Sequence, residues 1–68
     1  MRNFRHKDHA AFIQVNRAQD TAFISIYAPT SDAIGHAIAA YETSAKGANA
    51  SARRTIDQIV AKKRLASP

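Results

Sequence analysis

The chain has 68 residues, with ten Lys and Arg against five Asp and Glu for a net charge of +5, and it has no Cys. A chain of about this size makes one domain at most and buries only roughly 60% of the surface its unfolded form exposes, so self-association is an expected supplement to a small core. Without Cys there are no disulfide staples and no thiolate metal sites. No run reaches the roughly 18 apolar residues of a membrane span, and no signal-type apolar stretch follows the basic start, so the composition predicts a cytoplasmic protein without membrane contact. A positive field of this kind attracts polyanions, which places nucleic acid, or a protein that handles it, first among partners.

The opening segment, MRNFRHKDH, reads as a flexible basic arm over residues 1–9 of a single domain spanning 1–68. His6, Asp8 and His9 could ligate a divalent ion if this segment were helical. No fourth ligand stands near them, and the sequence predicts neither a metal site nor a cofactor.

The next stretch, AFIQVNRAQDTAFISIY, sorts itself if residues 17–20 form a four-residue loop. Asn16 then faces Thr21, and the pairs run Val15 with Ala22, Gln14 with Phe23, Ile13 with Ile24, Phe12 with Ser25 and Ala11 with Ile26. Side chains alternate across a strand, so Ala11, Ile13, Val15, Ala22, Ile24 and Ile26 share one aliphatic face, and Phe12, Gln14, Asn16, Thr21, Phe23 and Ser25 share the other. A β-hairpin over about 11–16 and 21–27 is expected. Its loop has no glycine, and Asp20 is the strong turn former in it.

Downstream of Pro29, the residues Thr30, Ser31 and Asp32 can cap a helix, Ile34, Ile38, Tyr41 and Ala45 recur at helical spacing, and Gly47 is placed to end it. The expected helix covers about 31–46. After the small-residue link AKGANASA, Asn49 or Ser51 can cap a second helix over about 51–64, with Ala52, Ile56, Ile59, Val60 and the stem of Lys63 on one face. The predicted fold is thus α+β, ββαα, with two antiparallel helices packed on the aliphatic face of a hairpin.

Two constellations are candidates for function. Arg53, Arg54, Lys62, Lys63 and Arg64 on the second helix could hold phosphates. Cations in the last turn are also what the helix macrodipole favours, whereas Arg53 and Arg54, near a helix start, would be misplaced unless an anion met them. Phe12, Gln14, Phe23, Ser25 and Tyr27 on the outward hairpin face could meet unpaired bases, a second subunit or another protein. No Gly-rich phosphate cradle, nucleophile set or carboxylate pair stands in a plausible pocket, so no enzymatic activity and no small-molecule substrate are expected.

Residues 24–65, from ISIYAPTSDAIGHAIAAYETSAKG to the end of the second expected helix, resemble the ribbon-helix-helix family of dimeric DNA-binding regulators. The resemblance lies in a short strand ending at proline, an amphipathic helix ending at glycine and a second helix after a serine. It implies that Phe23, Ser25 and Tyr27 enter the major groove and that Ser51, Ala52 and Arg53 begin a helix touching phosphate. That family uses one strand per subunit, and the register above supplies two. The leading expectation is a dimeric nucleic-acid-binding regulator of a mobile element. The alternative is a compact phage- or plasmid-type inhibitor or adaptor that docks its aromatic hairpin face on a larger protein.

Overall fold

In a computed structural model that describes residues 2–29 and 36–66, the chain forms four strands and then a helix. The strands are β1 (Arg2–His6), β2 (His9–Asn16), β3 (Thr21–Tyr27) and β4 (Ala39–Ser44), and the helix is α1 (Ala48–Ala66). The strands form one antiparallel sheet in the order β1-β2-β3-β4. This β-rich α+β arrangement, ββββα, replaces the expected ββαα fold with its two helices.

Between β2 and β3 the register is the one that the alternation predicts, from Asn16 opposite Thr21 to Ala11 opposite Ile26, and it continues to Ala10 opposite Tyr27. Asp20 adopts φ 53°, a left-handed conformation that Asp tolerates better than most residues, and its carbonyl accepts from the Ala45 N–H at 3.0 Å. The turn between β2 and β3 is thereby tied to the end of β4.

The expected helix over 31–46 is corrected by β4. Its caps Thr30, Ser31 and Asp32, together with Ile34 and Gly35, lie outside the described residues, but Ala39 to Ser44 pair with β3 from Ile26 opposite Ala39 to Thr21 opposite Ser44. Pairing there satisfies a row of β3 backbone groups that would otherwise form a free edge. In β4, Ala39, Tyr41 and Thr43 are half-buried while Ala40, Glu42 and Ser44 are exposed, a period of two that competes in the sequence with the helical spacing of Ile38, Tyr41 and Ala45.

Gly47, expected to end a helix, instead leads into one. Its φ of 85° suits the third position of a turn over residues 45–48, closed by the Ala48 N–H on the Ala45 carbonyl at 3.4 Å. The helix starts at Ala48, earlier than the expected 51, so Asn49 and Ser51 lie inside it and do not cap it.

Of the basic arm expected over 1–9, Arg2–His6 form β1 and His9 starts β2, joined by Lys7 and Asp8 at φ 50° and 66°, while residue 1 lies outside the described residues. Two positive φ values in a two-residue hairpin loop define a type I′ turn, whose twist matches that of the flanking strands. His9 closes this turn. It is buried, and because a carbonyl can only accept, its Nδ1–H donates to the Lys7 oxygen at 2.8 Å.

α1 covers the face that carries Ala11, Ile13, Ala22, Ile24 and Ile26, contributing Ala48, Ala52 and Ile56 to the buried core and Ile59 and Val60 to its margin. Phe4 and Tyr41 pack at this margin from the outer strands. Tyr41 Oη is hydrogen-bonded to Thr55 Oγ1 at 2.9 Å and to Ser51 Oγ at 3.2 Å, which fastens β4 to the helix.

Two substitutions test this packing. Ile56→Val is expected to lower the unfolding free energy by about 0.5–1.5 kcal/mol in urea melts, and Ile56→Ala by about 2–5 kcal/mol, because the site is closed and cannot collapse freely. Asp8→Gly should raise the melting temperature, through a gain of about 0.5–1 kcal/mol, because glycine occupies a left-handed position without the penalty of a Cβ.

Candidate nucleic-acid interface

Helix geometry decides where the expected cations stand. With α1 beginning at Ala48, Arg53 and Arg54 fall in its second turn, beyond the first turn where the macrodipole disfavours a cation, so the expected misplacement does not arise. Arg53 has partners within the protein: its Nε–H donates to Asn49 Oδ1 at 2.9 Å, and its guanidinium lies 4.6 Å from the centroid of the Phe4 ring. That second contact is a cation–π interaction, and it binds β1 to the helix. Arg54, one residue on, is exposed.

Asp57, one turn after Arg53, makes the other attachment to β1. Its Oδ1 is 2.8 Å from Lys7 Nζ and 2.8 Å from His6 Nε2. The Lys7 ammonium first, and the His6 hydrogen bond second, hold the Asp57 carboxyl below its ordinary value of 3.8. Nothing local in the sequence announces this pairing, which joins positions 51 residues apart. Only the fold brings His6 and Lys7 beneath the helix.

Lys62, Lys63 and Arg64 are all exposed. Lys63 stands seven residues after Ile56, about two turns along the same helix face, where a residue over the sheet would be buried. Ile59 and Val60 pack against the core, and every residue of the following turn, Ala61 to Arg64, is exposed. Successive residues turn about 100° around a helix, so the three cations fan over roughly 200°. Among the described residues the ion pairs are those of Asp57 with His6 and Lys7, and no described carboxylate pairs with these three cations.

The outward hairpin residues lie on the other side of the sheet. Phe12, Gln14, Phe23, Ser25 and Tyr27 share the helix-free face with Asn3, Arg5, Ala40 and Glu42 by strand register. Phe12 and Tyr27 meet edge to face at a centroid distance of 5.3 Å, and Phe23 is 46% exposed. Gln14, Arg17, Phe23 and Glu42 line a shallow open depression of about 380 Å³. The amino-terminal segment does not cover the aromatics: Phe4 lies with the core on the helix side. The two constellations therefore do not converge on one site.

Among the described residues no helix is long and apolar enough to cross a membrane. Comparison with known protein families, with curated proteins and with solved structures returned no match.

The Asp57 cluster gives a pH prediction. A carboxyl held below its ordinary value adds stability that is present above that value and is lost as the pH falls through its lower value in the folded protein. Wild type should accordingly be more stable than Asp57→Asn near neutral pH, with the difference shrinking below 3.8 in acid denaturation curves. Because the pair is at the surface, about 1 M salt should also shrink it.

Proposed function

We propose that the protein is a small non-catalytic nucleic-acid-binding protein that grips the phosphate backbone with the last cations of α1. The observation that carries this reading is the exposed turn of the helix over residues 61–64, where Lys62, Lys63 and Arg64 fan outward with no carboxylate partner among the described residues. Arg54 extends the same charge along the exposed side of α1, while Arg53 remains engaged with Phe4 and Asn49. Five of the ten Lys and Arg of the chain belong to this one helix, and its only acid, Asp57, is matched by Lys7 and His6.

A duplex carries one negative charge per roughly 1.7 Å of axis, so cations fanned on both flanks of a helix can reach phosphates on either side of a groove. Such contacts position a protein without reading sequence. This suits a cytoplasmic regulator that binds nucleic acid through charge. Docking of the aromatic sheet face on a larger protein is the competing reading, and the exposure of Phe23 favours it.

Fluorescence anisotropy with a labelled duplex, measured over a series of salt concentrations, separates the two. Wild type should bind with a steep log-log salt dependence, and the triple variant Lys62→Ala/Lys63→Ala/Arg64→Ala should lose up to about 2.7 units of slope, since each released phosphate contact is worth about 0.9. Equal affinity and slope in the two proteins would remove the reading. Arg54→Ala alone should cost no more than about one such unit.

A further inference from the structure

We infer that the helix-free face of the sheet is where two copies of this chain associate, face to face, with their strands crossing at close to a right angle. This goes beyond the proposed nucleic-acid binding and uses the opposite side of the sheet. It starts from how little the single chain buries. The large side chains that are fully enclosed are Ile13, Ile24, Ile26 and Ile56, and the remaining buried apolar residues are alanines. A chain of this size is marginal on such a core, and Phe12, Phe23 and Tyr27 are the largest apolar groups left to add to it.

Charge placement points to a second copy as the occupant. The charged residues that the described strands set on this face are one cation, Arg5, and one anion, Glu42, and the loop residue Arg17 lines the depression beside Glu42. Arg5 stands on edge strand β1 in the row of Ala10 and Tyr27, and Glu42 on edge strand β4 in the row of Phe23 and Gln14. These rows are four residues apart along β2, about 13 Å, and the edge strands are three strand spacings apart, about 14 Å. Arg5 and Glu42 thus occupy opposite corners of a nearly square patch.

A two-fold axis lying between the sheets, perpendicular to that diagonal, sets each Arg5 over the partner's Glu42 and turns one set of strands by about 90° relative to the other. Orthogonal packing is one of the two established ways in which sheets stack. Phe12 and Ser25, in the middle row, fall nearest the axis, and both α1 helices remain on the outside with their cations free. An axis parallel to the strands would leave the two charges in different rows and unpaired.

The area sets the strength. Four strands of about seven residues span roughly 19 by 23 Å, so each copy contributes on the order of 440 Å² and the pair about 900 Å². That is close to the roughly 1,000 Å² expected of a specific interface, so the dimer should be reversible, forming at micromolar concentrations and above.

Sedimentation equilibrium of the full chain from about 1 to 500 µM, a range chosen for an interface of this size, tests the inference. Wild type should pass from monomer to dimer, and Phe23→Ser should remain monomeric with an unchanged circular dichroism spectrum. Arg5→Glu and Glu42→Arg should each weaken the dimer about tenfold, and the double variant Arg5→Glu/Glu42→Arg should restore it to within about threefold, because the exchanged charges still meet across the axis. A monomer at every concentration would overturn the inference, as would a double variant no tighter than either single one. Monomeric wild type that binds single-stranded oligonucleotides through Phe23 would give the face to unpaired bases. Capture of a different protein through Phe23 by a monomer would give it to that partner. The tip variant Lys62→Ala/Lys63→Ala/Arg64→Ala should dimerise as wild type does, so the two proposals fail independently.

Discussion

How closely α1 approaches the sheet is decided by small side chains. Ala48 and Ala52 are buried against an aliphatic surface that itself includes Ala11 and Ala22, so the helix lies close without a large residue at either position to hold it away. Ile56 then fills the remaining space among Ile13, Ile24 and Ile26. An interior at crystalline packing density tolerates little change in volume, so this contact sets the line along which α1 runs. Everything that distinguishes the two sides of the molecule follows from that line: which strands the helix covers and where it reaches β1.

The resulting sidedness separates two kinds of interaction. On one side, charge is concentrated on a helix whose single acid is already matched, leaving a positive tip. On the other, aromatic and uncharged polar groups of the described strands are joined by Arg5 and Glu42, with Arg17 of the β2–β3 loop beside Glu42. Long-range attraction and short-range packing are thereby assigned to different surfaces, and a polyanion drawn to the helix need not compete with whatever covers the sheet.

The β2–β3 hairpin was legible because its aliphatic and aromatic residues alternate without exception when residues 17–20 form the loop. The stripe of Ala52, Ile56, Ile59 and Val60 was legible for the corresponding reason, as one face at helical spacing. β4 was not. Ala39, Ala40 and Glu42 are compatible with a helix, Tyr41 fits both periods, and the deciding factor was the unsatisfied edge of β3, which no local window contains. β1 was hidden differently: Lys7 and Asp8 hold a type I′ turn that asparagine and glycine usually signal, and its flanking residues are too charged to advertise a strand. Gly47 was read as the end of a helix, and its left-handed conformation serves instead a turn into one. At the candidate interface, the exposed cations were readable from composition, whereas the engagement of Arg53 by Phe4 and the separation of the two constellations required the fold.

The lengths of the strands bear on how the sheet is kept from growing. The inner strands have 8 and 7 residues, and the outer ones only 5 and 6. β2 and β3, whose apolar sequences would be the most hazardous to leave unpaired, are thus enclosed on both sides by short strands that carry Arg2 and Arg5 at one border and Glu42 at the other. Short charged borders resist the addition of another chain's strand, which is how soluble sheets avoid extending into fibres. The turn of Lys7 and Asp8, with the clasp on Asp57, ties one of those borders to the helix, so a surface ion pair of small energetic weight also holds a strand at the edge of the sheet.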